Sequence, residues 1–229
     1  MSRFTKYWYG TLVALILVGC AGVFLGSRDV LYTGDRAADT VEVNKENSEW
    51  WASTLLLRKK SGQQWCSAVA INNTTSEIFG GRLRPISWLV TAKHCSGPML
   101  NSWAFDVLYN PDGTVYKEIA YQVIEVMDHP SKDFSILKVE GHTLFSTPVC
   151  VNTLPVQRQD FIIGFRGNSH GDFHKLGKFI SPAYAYKGQS GGGVFSPKWG
   201  LHSIVSTHVD GVNIYIALVD MNMEHILTW

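Results

Sequence analysis

The sequence predicts an all-β protein, an antiparallel barrel or sandwich, and three observations carry that reading. The apolar and β-branched runs after residue 50 are short, most of them are bounded by Gly, Pro, Asn or Asp, and glycine is somewhat enriched at 21 of 229 residues. Short runs between strong backbone breakers favour strands and turns over long helices. In order, the runs are Thr54 to Leu57, Ser67 to Ile71, Ser87 to Ala92, Trp103 to Tyr109, Thr114 to Val126, Phe134 to Val139, Asp160 to Gly164, Gly193 to Phe195, His202 to Thr207 and Val212 to Val219. Asn110-Pro111-Asp112-Gly113, between two of them, is a strong hairpin turn signal. Apolar spacing that a short helix would explain is confined to Met221 to Trp229.

Ahead of the strands the composition changes. Tyr7 to Ser27 is an uncharged stretch dense in Leu, Val, Ile and Ala, long enough to span a bilayer. Arg3 and Lys6 precede it, which by the positive-inside rule keeps the amino terminus cytoplasmic and sends the rest across. Three readings stay open: an uncleaved anchor, a cleavable secretory signal, and a lipoprotein signal, since Leu17-Val18-Gly19-Cys20 resembles a lipobox. All three place the bulk of the chain outside the cytoplasm. Residues 28–49 are polar and charge-rich and read as a linker, leaving residues 50–229 for the globular part.

Twenty basic and nineteen acidic side chains leave a formal charge of +1, so no long-range field marks nucleic acid as a partner. The 45% hydrophobic content excludes disorder as the main state. Cysteines at 20, 66, 95 and 150 form no CxxC pair, which excludes a zinc ribbon or thioredoxin motif.

Two stretches carry chemistry. Leu89-Val90-Thr91-Ala92-Lys93-His94-Cys95 is a buried-type strand ending in a histidine, and Lys187-Gly188-Gln189-Ser190-Gly191-Gly192-Gly193 sets a serine among glycines. A serine hydroxyl is a poor nucleophile until an imidazole takes its proton, and the imidazole needs a carboxylate to fix its tautomer. The glycines have a separate reason: backbone N–H groups can be aimed at a developing oxyanion where no Cβ intervenes.

Together these blocks resemble the chymotrypsin-like serine proteases. Thr91-Ala92-Lys93-His94-Cys95 is similar to that family's TAAHC block, Gly188-Gln189-Ser190-Gly191-Gly192-Gly193 to its GDSGGP block, and His129-Pro130-Ser131-Lys132-Asp133-Phe134-Ser135-Ile136-Leu137 to its aspartate segment. The blocks also stand in the family's order. The resemblance covers roughly residues 50–229 and implies two six-stranded antiparallel β-barrels, residues 50–150 and 151–229, with a short carboxy-terminal helix. It further implies His94 as general base, Asp133 as its orienting carboxylate, Ser190 as nucleophile, and the Gly188 and Ser190 amides as oxyanion hole. Trp65-Cys66-Ser67-Ala68-Val69 resembles the family's half-disulfide strand, implying a Cys66–Cys95 bridge, and Ile204-Val205-Ser206 its IVS strand. Tyr184, Ser206, Thr207 and His208 fall at substrate-binding positions. The expected activity is peptide-bond hydrolysis through an acyl-enzyme, on protein or peptide substrates, with no metal or organic cofactor.

Departures sharpen the expectation. Gln189 stands where the family has an aspartate, and no Ile-Val-Gly-Gly-like start precedes the first strand, so activation by a freed amino terminus is not expected. Tyr184 at the pocket position gives no support for a preference for Lys or Arg. Each residue also has a plainer reading: His94 as a core histidine, Asp106 or Asp128 in place of Asp133, Ser190 as a turn residue, and His170, Asp172 and His174 as a solvated loop instead of a metal site. Two rival functions follow, a protease-fold binding module without catalysis and an esterase or lipase, because Gly188-x-Ser190-x-Gly192 also fits the nucleophile elbow of α/β-hydrolases.

Overall fold

The computed structural model describes residues 40–41, 47–79, 82–110, 114–149, 156–157, 159–167, 173–180, 188–209 and 212–218. The apolar run 7–27 and the expected helix at 221–229 lie outside these residues. Among the described residues no helix is long and apolar enough to cross a membrane. The architecture is all-β, with twelve strands and two short helices among the described residues.

The first half is a closed antiparallel barrel. Its strands are β2 (Thr54–Arg58), β3 (Gln64–Phe79), β4 (Arg82–Thr91), β5 (Trp103–Tyr109), β6 (Val115–Asp128) and β7 (Ser135–Glu140), in the order β2-β3-β4-β7-β6-β5, closed by β5 on β2. The inner faces supply the core: Leu55, Leu57, Leu89, Val123, Leu137 and Val139 are all fully buried. Each such side chain contributes roughly 1.5–3 kcal/mol through the area it removes from water. β3 and β4 run further than the apolar runs suggested, because their outer ends pair through polar residues from Asn72 to Glu77 with register shifts on the way.

The second half is a six-stranded antiparallel sheet in the order β1-β9-β8-β10-β11-β12. It comprises β8 (Phe161–Gly167), β9 (Phe173–Phe179), β10 (Gly193–Ser196), β11 (Gly200–Val209) and β12 (Val212–Ala217), with β1 (Thr40–Val41) on its edge. Among the described residues this half is a sheet and not a closed barrel: β1 and β12 are its two edges, and they do not pair. Within the stretch expected to be a linker, Thr40 and Val41 pair with Lys178 and Gly177 of β9. Helix α1 (Ser48–Ala52) follows, its Trp50 buried and stacked on Phe195 of β10 at 5.3 Å, so the segment before the first barrel is pinned to the second half.

A polar cluster sits where the halves meet. Lys175 of β9 is buried, donates from Nζ to the Trp51 carbonyl at 2.9 Å, and lies over the rings of Trp51 and Phe165. Its amide donates to the Tyr109 hydroxyl at 3.2 Å. Asp106 of β5 is buried too, accepting the Tyr121 hydroxyl at 2.8 Å and the Leu144 amide at 3.2 Å. Burial pulls the Lys175 ammonium down to about 7, against the opposing pull of the Asp106 charge, and burial pushes the Asp106 carboxyl up.

A lysine that titrates near 7 when folded and near its ordinary 10.5 when unfolded binds fewer protons in the native state throughout that window. Stability then rises with pH from about 7 to 10.5, and below about 7 the burial cost is present in full. Lys175→Met keeps the stem and removes the charge. In urea unfolding, the stability of the variant relative to the parent is expected to grow on going from pH 10 to pH 6, by on the order of a few kcal/mol. A difference independent of pH would count against this account.

Candidate active site

After β4 the chain turns through extended Ala92 into the one-turn helix α2 (Lys93–Ser96), which carries His94 at the barrel rim. Three links hold this helix. Cys95 is bonded to Cys66 of β3 with Cα atoms 6.2 Å apart, Lys93 Nζ donates to the His129 carbonyl at 2.8 Å, and Ser96 Oγ donates to Asp128 Oδ1 at 2.6 Å. A disulfide is consistent with an extracytoplasmic location.

Asp133 stands in the loop between β6 and β7, which is braced from within. His129 accepts the Ser131 and Lys132 amides on Nδ1 at 3.2 and 3.0 Å, and its ring packs on Phe134 with centroids 4.6 Å apart. The loop delivers the Asp133 carboxylate to His94 twice over: the His94 amide donates to Oδ1 at 3.0 Å and the His94 Nδ1 lies 2.9 Å from Oδ2. Ser206 of β11 donates its hydroxyl to the same Oδ2. An ionised carboxylate only accepts, so Nδ1 carries the proton and Nε2 is left as the free acceptor of the neutral ring. The competing aspartates are engaged elsewhere, Asp106 in the barrel and Asp128 with Ser96 and Ser135.

Burial raises the Asp133 carboxyl, but the bonds from Ser206, the His94 ring and the His94 amide, with the charge of His94, outweigh it and leave it below the ordinary carboxylate value. The partly exposed Asp133 is thereby kept ionised at neutral pH.

Ser190 lies in the turn 188–191, flanked by Gly188 at φ +95° and Gly191 at φ +80°, left-handed conformations that glycine adopts without strain. A Cβ on Gly191 would stand 2.2 Å from both the Ser67 carbonyl oxygen and Thr91 Oγ1, so the loop reaches its seat on the first barrel only because that side chain is missing. Ser67 of β3 holds the loop at two points: its amide donates to the Ser190 carbonyl at 2.8 Å and its hydroxyl to the Gly188 carbonyl at 2.8 Å. On the far side Gly191 donates to Val205 at 2.7 Å and Val205 back to Gly192 at 2.9 Å, which ties the loop to the residue before Ser206. Cys95 Sγ touches the Ser190 carbonyl at 3.9 Å. Among the described residues no hydrogen bond joins the Ser190 hydroxyl to His94, and the amides of Gly188 and Ser190 donate to nothing.

Of the other expected site residues, Thr207 and His208 continue β11 opposite Ile214 and Asn213, but their side chains lie outside the description, as does all of Tyr184. Cys20 and Cys150 also lie outside it. The sulfurs of Cys66 and Cys95 and a ring nitrogen of His94 lie within 4.8 Å of one another, yet both sulfurs are spent in the disulfide and offer no thiolate to a metal. The chain after Ser190 runs straight into strand β10 instead of the helix that an α/β-hydrolase elbow demands, which removes the esterase reading. Sequence reasoning passed over the Ser67 hydroxyl; its one signal is a small polar residue within an otherwise apolar strand, Cys66 to Ile71.

No family model matches the chain, and no curated protein does. Solved structures do match. One described as "Structure of GrC" is 12% identical with a TM-score of 0.55, covering 83% of this chain and 97% of that one. At that identity the likeness is one of fold.

Ser206→Ala removes a donor from Asp133, so the carboxyl midpoint, followed by carbon NMR of the labelled side chain, is expected to move up. A carboxyl held below its unfolded value contributes stability that is lost as pH falls from that unfolded value through the folded midpoint, so in the variant the acid loss should be smaller and should be complete at a higher pH. An unmoved midpoint would show that Ser206 does not tune Asp133.

Proposed function

We propose that this protein is a serine endopeptidase of the chymotrypsin-like type. The observation that carries the reading is the hydrogen-bonded chain Ser206, Asp133, His94, together with a glycine-flanked turn that seats Ser190 against the same stretch of β3 whose Cys66 is bonded to Cys95 beside His94. In this mechanism Ser190 Oγ attacks the scissile carbonyl while His94 Nε2 takes its proton. Asp133 holds the ring and stabilises its cation. The oxyanion is received by the Gly188 and Ser190 amides, His94 returns the proton to the leaving amine, and water, activated by His94, releases the acyl group from Ser190. Ser206, Thr207, His208 and Tyr184 belong to the substrate side in this reading. The segment 7–27 holds or delivers the protein to the far side of a membrane, and the chemistry requires neither metal nor organic cofactor.

A binding module that keeps the fold without catalysis is the second reading, favoured because among the described residues no hydrogen bond joins the Ser190 hydroxyl to His94. That bond is often long in unliganded proteases and tightens when substrate binds. A fluorophosphonate probe on the full chain separates the two readings. The parent is expected to label, with Ser190→Ala and His94→Ala reduced roughly a thousandfold or more. A folded parent that stays unlabelled beside a reactive control protease supports the binding module, and equal labelling of Ser190→Ala removes Ser190 from its role.

A further inference from the structure

We propose that Ser67 is the positioning residue of the oxyanion loop, its buried hydroxyl acting as the brace that orients the Ser190 amide. The proposal rests on the protease reading for its catalytic consequence, although the brace itself is a matter of geometry. Ser67 is fully buried and its hydroxyl bonds in both directions: it donates to the Gly188 carbonyl at 2.8 Å and accepts the Phe165 amide of β8 at 2.7 Å. Its amide donates to the Ser190 carbonyl at 2.8 Å, and its carbonyl accepts the Thr91 hydroxyl at 2.7 Å.

The consequence follows from peptide planarity. The Gly188 carbonyl shares a rigid plane with the Gln189 amide, and the Ser190 carbonyl shares one with the Gly191 amide. Ser67 holds both planes, one by its hydroxyl and one by its amide. The peptide between them carries the Ser190 N–H, the group an oxyanion would meet; its own carbonyl, that of Gln189, accepts the Gly192 amide at 2.8 Å, and this turn bond together with the two planes held by Ser67 sets its orientation. Gly164 leaves the room: a Cβ there would lie 3.1 Å from Ser67 Oγ and 3.4 Å from Gln189 Cα.

A matched control exists in the same barrel. Ser87, also fully buried, donates to the Gly141 carbonyl at 2.7 Å and accepts the Thr143 amide at 3.0 Å, the same pattern at another site. Full-length Ser67→Ala and Ser87→Ala are compared by amide hydrogen exchange and by fluorophosphonate labelling. Ser67→Ala is expected to speed exchange at Gly191 and Gly192 about tenfold or more, and to slow labelling about 10- to 100-fold, while Ser87→Ala leaves both near the parent. Unchanged exchange at Gly191 and Gly192 in Ser67→Ala, or equal acceleration in Ser87→Ala, overturns the brace. Exchange that responds in a protein whose parent never labels leaves the brace standing and sinks the protease reading instead. If Ser67→Ala does not fold, native-state exchange of the parent decides: the Phe165, Gly191 and Gly192 amides opening as one unit supports the brace, and separate openings overturn it.

Discussion

Everything at this site depends on one close approach, that of the turn 188–191 to the wall of the first barrel. Gly191 lies so near the Ser67 carbonyl and the Thr91 hydroxyl that no side chain fits between them, and the loop is then stitched down by donors from the barrel. Such bonds are short of free energy individually, but in a buried setting a broken one leaves an unsatisfied group at a cost of about 1–3 kcal/mol. The contact also runs into the disulfide: Ser67 follows Cys66, Cys66 is bonded to Cys95, and Cys95 follows His94. The histidine and the serine loop, which come from different halves of the chain, are thus referred to a single stretch of β3.

The protein treats its two acidic clusters in opposite ways. Asp133, partly exposed and supplied with three donors, is held in its ionised form. Asp106, deep in the barrel, is pushed toward its neutral form by burial, and the nearby Lys175 is pushed toward neutrality as well. Charge is maintained where a ring must be oriented and suppressed where two halves must be glued. Buried His202 and Asp160 form a further close pair, with Nε2 and Oδ2 3.3 Å apart, inside the second sheet.

The local features were legible in the sequence and the long-range ones were legible only by resemblance. Apolar runs such as Trp103 to Tyr109 and Phe134 to Val139 marked β5 and β7 because burial of both or alternate faces writes itself into residue type. Strand β9 is absent from the apolar runs, since His174, Lys175, Gly177 and Lys178 break up its apolar residues and only tertiary packing makes Lys175 a core residue. Helix α1 and strand β1 were hidden in a polar stretch for the same reason. The pairing of Cys66 with Cys95 and of His94 with Asp133 has no local signature at all; the ordered blocks supplied it. The Ser67 hydroxyl fell between the two kinds of signal, because its partners Gly188 and Phe165 are distant in the chain and no block pointed to it.

Strand β1 places a constraint on the order of assembly. Thr40 pairs with Lys178, so two residues from near the start of the chain complete the edge of a sheet whose other strands are encoded in its last third. Contacts across such separations carry a high loop-closure entropy and form late. Until they form, β9 is an open edge with unpaired backbone groups, the kind of surface on which chains cross-pair. During synthesis from the amino end, the piece that protects this edge is made before the edge itself and has no partner until β9 follows it.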